Sequence, residues 1–134
     1  MSDVSILAQI NALREHPAYQ AAEALRRGTA GGAAAMAKAP KSSDELRAVL
    51  LLISTWQTIA VMVSAMRRKD GAYRQLPVCH MYRELQAAIE QLCDRDRAAE
   101  LKRLYDDYDA WLAARGLEAG YVSALCGGLH ARFG

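Results

Sequence analysis

Residues 42–69 read SSDELRAVLLLISTWQTIAVMVSAMRRK, and this stretch decides the fold. Ser42 and, three residues later, Glu45 have the pattern of a capping box, which typically marks the first turn of a helix. No charged side chain occurs between Arg47 and Arg67, so the predicted helix is apolar on nearly all of its sides. A helix of this kind is either enclosed by other helices or crosses a membrane.

The uncharged run, residues 48–66, has two interpretations. Its length is close to the ~20 residues that cross a bilayer, and as a single membrane span it would leave the C-terminal half of the chain in the cytosol. As the central helix of a bundle, it would supply the apolar surface that the amphipathic helices after it must cover. We expect it to continue to about Lys69. We favour the bundle, because Gln57 and Thr58 can lie on a strip that faces water or a partner. The polar residues of the run are Ser54, Thr55, Gln57, Thr58 and Ser64.

Two shorter helices are predicted ahead of this stretch, forming an N-terminal hairpin over residues 1–27. Ser2 or Asp3 is a suitable cap for the first helix, and Pro17, which fits a first helical turn, begins the second. Residues 28–41 are rich in Gly and Ala, so we expect a linker there with at most one helical turn. The apolar faces predicted for these helices are Ile6, Leu7, Ile10 and Leu13 in the first, and Ala21, Ala24 and Leu25 in the second, where Tyr19 is also available for packing.

Two amphipathic helices are predicted in the main body, residues 42–134. Pro77 begins one of them after a short connection, and Asp94 or Asp96 caps the next, which ends near Arg115. A last short helix is expected over residues 117–126. The apolar stripes are Val78, Met81, Leu85, Ala88, Ile89 and Leu92 in one helix, and Leu101, Leu104, Tyr105, Tyr108, Trp111 and Leu112 in the other.

These segments predict a single all-α domain over residues 1–134, a compact helical bundle of about five or six helices with the long apolar helix at its centre. Hydrophobic residues make up 52% of the chain, which is enough to form a core. Ala and Leu are the dominant types, and both favour helix.

The composition argues against several classes of protein. The formal net charge of +2 is too small an excess to indicate nucleic-acid binding. The N-terminus lacks the basic residues of a signal peptide, and three cysteines without paired spacing do not indicate a disulfide framework. We therefore expect a cytoplasmic protein. The excess of Arg over Lys is typical of a GC-rich bacterial or phage genome.

The cysteines and histidines do not form a recognisable metal motif. Cys126 and His130 are four residues apart, and Cys79 is next to His80, whereas Cys93 has no histidine at either spacing. A zinc site requires two pairs of closely spaced ligands, which this pattern does not provide. We predict no metal and no cofactor, and we expect the cysteines to be small buried hydrophobic residues.

Charged clusters are better explained as solvated surface than as sites. Asp106, Asp107 and Asp109 lie on one predicted helix, but no second acidic cluster complements them as magnesium ligands would require. The basic clusters are offset by neighbouring acids, which weakens a phosphate-binding interpretation. They are Arg67, Arg68, Lys69 and Arg74 in one group, and Arg95, Arg97, Lys102 and Arg103 in the other.

No motif predicts catalysis. His80 with Glu84 four residues later could form an oriented imidazole, and Cys79 or Cys93 a nucleophile, but no protease or hydrolase signature surrounds them. The glycines of residues 28–32 lack the Lys-Ser/Thr pair of a phosphate-binding loop. We predict that the protein is not an enzyme.

By elimination, the sequence predicts a protein that acts through protein–protein binding, as an adaptor, inhibitor or chaperone. The partner is expected to be another protein or a second copy of the chain, since a small domain cannot bury all of its apolar surface alone. A membrane span over residues 48–66 is the alternative, and a small enzyme or nucleic-acid-binding protein the third. The expected contact residues lie at the two ends of the chain: Ile6, Ile10, Tyr19, Tyr121, Leu125, Leu129 and Phe133.

Overall fold

The computed structural model describes residues 1–92 and 98–115, and all of the regular secondary structure in these residues is helical. The predicted all-α fold is therefore confirmed. The last predicted helix, residues 117–126, lies outside the described residues. The helices are α1 (Asp3–Glu15), α2 (Pro17–Gly28), α3 (Gly32–Ala37), α4 (Asp44–Ser64), α5 (Asp70–Gln75), α6 (Val78–Leu92) and α7 (Ala99–Ala114).

The central helix is α4, as predicted, and it contacts α1, α2, α3, α6 and α7. Of these helices, α2 packs most extensively against α4. One side of α4 faces outward, where Leu50 is 43% and Val61 is 52% exposed. Thr58, assigned to a polar strip by the sequence, is exposed on this side. The opposite sides are buried in the core, where eight residues of α4 lie: Ala48, Val49, Leu52, Ile53, Trp56, Ile59, Ala60 and Val63.

The start of α4 differs from the prediction by one residue. Ser43, not Ser42, is the N-cap, and its hydroxyl accepts a hydrogen bond from the Leu46 amide at 3.2 Å. Both serines have suitable side chains, but the Ser43 amide donates to the Pro40 carbonyl at 3.0 Å. This turn sets Ser43 in the extended conformation that a cap requires.

The end of α4 also differs, because the helix stops at Ser64 rather than near Lys69. The reason lies in α1. The two carboxylate oxygens of Asp3 accept hydrogen bonds from the backbone amides of Arg67 and Arg68, each at 2.9 Å. Those amides would otherwise bond to carbonyls within α4, so the contact with Asp3 takes the place of another helical turn.

The buried face of α2 is not the one that the sequence predicted. Ala21 and Ala24 are exposed, and Leu25 is half-buried. The buried face instead consists of Tyr19, Ala22, Glu23 and Arg26. The prediction was wrong because it assigned charged residues to solvent, whereas Glu23 and Arg26 neutralise each other inside the fold.

The predicted linker, residues 28–41, contains α3 and packs against α4 and α6. Two consecutive left-handed residues make the turn into α3: Gly31 has φ +85° and Gly32 has φ +60°. A Cβ atom at Gly32 would also collide with the Glu84 carboxylate of α6. Glycine is therefore required here for both its conformation and its lack of a side chain. Ala33 and Met36 of α3 are fully buried.

The connection between α4 and α6, predicted only to be short, contains the helix α5. Tyr73 of α5 packs against two aromatic rings of α7, with centroids 5.6 Å from Tyr108 and 5.2 Å from Trp111. The apolar stripe predicted for α6 is confirmed at Val78, Met81, Leu85, Ala88 and Ile89, which are all buried. In α7, which begins at Ala99, the residues buried from the predicted stripe are Leu101, Leu104 and Leu112.

Candidate functional site: an arginine-lined cavity

A cavity of about 430 Å³ lies between α2 and the segment that joins α5 to α6. Its volume is within the range of small-molecule sites. One wall comes from the end of α1 and from α2, and the other from α5, the connection after it and the first turn of α6. The lining residues are Arg14, Tyr19, Gln20, Glu23, Arg26 and Arg27 on the first wall, and Arg74, Gln75, Leu76, Pro77, His80 and Met81 on the second.

The back of the cavity is a chain of buried hydrogen bonds. The indole N–H of Trp56 donates to the Tyr19 hydroxyl at 2.9 Å, and that hydroxyl donates to Glu23 Oε1 at 2.9 Å. Burial, followed by the nearby Glu23 charge, raises the pKa of Tyr19 well above its usual value. The phenol is therefore neutral at physiological pH and keeps the proton that it donates to Glu23.

Arg26 is enclosed by carboxylates. Its Nε lies 2.9 Å from Glu23 Oε2, a terminal nitrogen lies 2.9 Å from the same oxygen, and the other terminal nitrogen lies 3.3 Å from Glu84 Oε1. Glu84 Oε1 also accepts the Ala33 backbone N–H at 3.1 Å, which connects the site to the start of α3. The Arg26 side chain is only 4% exposed, so these partners are what make its burial tolerable.

Three other arginines line the cavity, and nearby carboxylates neutralise their charges much less than they neutralise the charge of Arg26. Arg27 is 46% exposed in its side chain and is 3.7 Å from Glu23, whose carboxylate is already engaged by Arg26. Arg14 and Arg74 form no ion pair with any carboxylate of residues 1–92 and 98–115. The Nε atom of Arg14 is buried and has no hydrogen-bond partner. We call Arg14, Arg27 and Arg74 the mouth arginines.

The second wall contributes the apolar residues of the cavity, beside Arg74, Gln75 and His80. Leu76 and Met81 are buried, and Pro77 also lines the cavity. His80, in the first turn of α6, is 7% exposed. The beginning of a helix carries a partial positive charge, which adds to the charge of the arginines. The cavity therefore has arginines on both walls and an apolar surface on the second.

From the sequence, Glu84 was considered as the group that orients the His80 imidazole. In the structure, Glu84 belongs to the arginine network, because its carboxylate bonds to Arg26 and Ala33. Cys79 is disulfide-bonded, although the spacing of the cysteines did not indicate a disulfide framework. Its side chain is buried, as predicted. Cys93 and Cys126 lie outside the described residues.

The residues predicted to contact a partner are placed differently from one another. Ile6 and Ile10 are in the core, at 5% and 0% exposure. Tyr19 is 5% exposed and bonded to Glu23 and Trp56. None of these three presents its side chain at the surface, because the hairpin of α1 and α2 packs onto α4 instead of standing apart from it. The remaining four, Tyr121, Leu125, Leu129 and Phe133, lie outside the described residues.

The charged clusters of the sequence lie on the surface. Asp106 is exposed and pairs with Lys102 at 2.9 Å, and Asp107 and Asp109 are exposed as well. Within the described part of the chain, no three His, Cys, Asp or Glu side chains are grouped as metal ligands would be. Arg67 and Arg68 are exposed beside Asp3, whereas Arg74 belongs to the cavity. Arg95 and Arg97 lie outside the described residues.

A second polar cluster joins α5 to α7. The Trp111 indole N–H donates to Asp70 Oδ1 at 3.0 Å, and Arg115 lies 3.0 Å from Asp70 Oδ2. The Arg115 guanidinium also stacks over the Trp111 ring at 4.3 Å from its centroid. The Trp111 hydrogen bond, with Arg115, holds the pKa of the Asp70 carboxyl below its usual value. The Arg115 and Asp70 side chains of this cluster are both exposed to solvent.

A scan against protein-family models, a search of the curated proteins and a search of the solved structures find no match to this chain.

The sequence did not group the cavity residues into one site, and Tyr19, Arg74 and His80 were considered only in other roles, although a signal was present. Tyr19, Glu23 and Arg26 are spaced at i, i+4 and i+7, which places them on one face of a helix. An aromatic residue, an acid and a base on one face are consistent with a buried ion pair. The pairing with Glu84 is a contact between distant helices, which periodicity does not predict.

Proposed function

We propose that this protein is a non-enzymatic binding protein, and that its ligand carries an anionic group held by the mouth arginines. The observation that supports this most is the contrast within one cavity: Arg26 is satisfied by two carboxylates, whereas Arg14 and Arg74 form no ion pair within the described part of the chain. Guanidinium groups left uncompensated around a cavity are suited to carboxylate or phosphate, which they bind with paired hydrogen bonds.

Binding rather than catalysis is favoured by the chemistry of arginine. A guanidinium keeps its charge throughout the physiological pH range and does not exchange protons with a substrate. The two carboxylates of the cavity and its supporting network, Glu23 and Glu84, are already bonded to Arg26. The site is therefore equipped to hold a negative charge, and its carboxylates are committed to maintaining the fold.

Calorimetric titration with small anions tests this function. Benzoate and phenyl phosphate are expected to bind with one site per chain, and benzylamine, a cation of similar size, is expected not to bind. The variant Arg74→Gln is expected to weaken anion binding by about tenfold, the effect typical of losing a charged hydrogen bond. Arg47→Gln is the matched control, because Arg47 is exposed on α4 and pairs only with Asp44 and a backbone carbonyl. Absence of anion binding by the wild type would refute the proposal.

Self-association is a second candidate, and it is favoured by the outer side of α4. This strip contains Leu50, Ser54, Thr58 and Val61, all exposed, and α4 has no charge after Arg47. A second copy of the chain would meet no like-charge repulsion along such a strip. α4 also has the length and hydropathy of a membrane span, with half of that window buried inside the fold. Light scattering of wild type and Val61→Lys, with and without detergent, distinguishes dimer, monomer and membrane protein.

A further inference from the structure

We infer that the ligand is a small organic phosphate monoester, with its doubly charged head at the mouth arginines and its organic part against the apolar wall. This inference rests on the proposed function, because it specifies the anion that the cavity takes. Three observations carry it: the number of uncompensated charges, their positions on both walls, and the composition of the second wall.

The charge count favours a dianion. In residues 1–92 and 98–115, the cavity and its supporting network contain four guanidinium groups, those of Arg14, Arg26, Arg27 and Arg74, and two carboxylates, those of Glu23 and Glu84. Asp70 also acts electrostatically on Arg74, but its two carboxylate oxygens are taken by Trp111 and Arg115. Among the described residues, the guanidinium groups thus exceed the carboxylates of this network by two. A carboxylate or a sulfate ester would neutralise one of these two excess charges, whereas a phosphate monoester carries nearly two negative charges at neutral pH.

The placement of the charges favours a single head group with several oxygens. Arg14 and Arg27 belong to the wall formed by α1 and α2, and Arg74 belongs to the opposite wall, on α5. A tetrahedral phosphate has three ester-free oxygens pointing in different directions, so it can accept hydrogen bonds from both walls. A planar carboxylate has two oxygens and directs them to one side.

The second wall accounts for the organic part of the ligand. Leu76, Pro77 and Met81 line the cavity beside Arg74 and offer apolar contact but no charge. An inorganic phosphate ion would leave this surface and much of the 430 Å³ volume unused. A phosphate ester with an apolar or aromatic body fills both parts of the cavity.

Calorimetric titration of the full-length chain at pH 8 tests the inference, with phenyl phosphate and phenyl sulfate as a matched pair. The two probes share a ring and a tetrahedral head, but at this pH the phosphate is a dianion and the sulfate a monoanion. Phenyl phosphate is expected to bind at least about tenfold more tightly. Equal affinities would overturn the inference and leave anion binding intact, whereas no binding of either probe would overturn both.

Two further titrations test the parts of the inference separately. Inorganic phosphate is expected to bind at least about tenfold more weakly than phenyl phosphate, because it lacks apolar contact. Equal affinity would overturn the assignment of an organic ligand. Arg74→Gln is expected to reduce the preference for phosphate over sulfate, and Arg47→Gln is expected to preserve it. An unchanged preference in Arg74→Gln would contradict the charge argument, and because Arg74 is exposed, this variant is expected to fold normally.

Discussion

Two clusters in this molecule combine a carboxylate, an arginine and a tryptophan, and they differ chiefly in burial. At the back of the cavity, the Arg26 and Glu23 side chains are 4% and 9% exposed, and Trp56 is reached through Tyr19. Between α5 and α7, the Arg115 and Asp70 side chains are 39% and 53% exposed, with Trp111 bonded directly to Asp70. Nearly the same chemical groups thus occur in two different environments.

The comparison shows how burial changes the consequence of losing a partner. In the exposed cluster, water replaces any missing hydrogen bond, so the pair contributes little to stability. In the buried cluster, removing the arginine leaves carboxylates without a counter-charge in a low-dielectric interior. Burial also keeps Arg26 in one position, so that the mouth arginines beside it are the groups left to interact with a ligand.

The largest effect is expected from breaking the buried pair. Arg26→Gln removes the guanidinium that Glu23 and Glu84 share and leaves Glu23 with only the longer contact to Arg27, so we expect a loss of about 3–5 kcal/mol in the free energy of unfolding. Urea denaturation measures it. The matched control is Arg115→Gln in the exposed cluster, which is expected to leave the urea midpoint nearly unchanged. Similar losses in the two variants would contradict the distinction between the clusters.

A smaller loss is expected at the α2–α3 turn. Gly32→Ala places a methyl group against the Glu84 carboxylate and forces an alanine to adopt φ +60°, so we expect a loss of about 1–3 kcal/mol. The matched control is Gly28→Ala, because Gly28 ends α2 with open space around its Cβ position. Thermal and urea denaturation of the pair compare them directly. A neutral Gly32→Ala would show that Glu84 does not approach the turn as described.

Removing one hydroxyl group sharpens the comparison further. Tyr19→Phe leaves the Trp56 indole N–H and Glu23 Oε1 without their shared partner, at an expected loss of about 1–3 kcal/mol. Tyr105→Phe serves as the control, because Tyr105 is half-buried and its main contact is ring stacking on Tyr82 at 4.3 Å. If both variants were equally stable, the hydrogen-bond chain behind the cavity would have no structural role.

The smallest effect is expected from the exposed carboxylate, and it depends on pH. The folded-state pKa of Asp70 is below its unfolded value of 3.8, so its contribution to stability is present above that value and is lost as the pH falls through the folded pKa. Asp70→Asn is therefore expected to make unfolding slightly less dependent on pH below about 4, and to change little at pH 7. Acid titration followed by circular dichroism measures this. A large loss of stability at neutral pH would contradict the exposed environment.

The sequence predicted those parts of the fold that depend on local periodicity. The long apolar helix and the stripe of α6 were predicted correctly, because both follow from residue spacing within one helix. The end of α4 was not predicted correctly, because it depends on Asp3 of α1, which is distant from α4 in sequence. The buried face of α2 was missed for a similar reason: Arg26 is compensated partly by Glu84, which is distant in sequence.

The candidate site was less predictable than the fold. Arg74 was noted within a basic cluster, but Arg67 and Arg68 of that cluster face solvent near Asp3 and only Arg74 reaches the cavity. The cavity combines residues from α1, α2, α5 and α6, and α5 itself was described only as a connection. A site assembled from four helices depends on how those helices pack, which composition and spacing do not determine.

The most direct test of the account is an NMR titration that observes the arginine Nε–H groups individually while phenyl phosphate is added. The account predicts progressive shifts of the Nε–H signals of Arg14, Arg27 and Arg74. It predicts a much smaller shift at Arg26, which is held by Glu23 and Glu84. Arg47 is the internal reference and should not shift beyond the general effect of added salt. Equal shifts at Arg47 and at the mouth arginines, or shifts at neither, would contradict the claim that this cavity binds an anion.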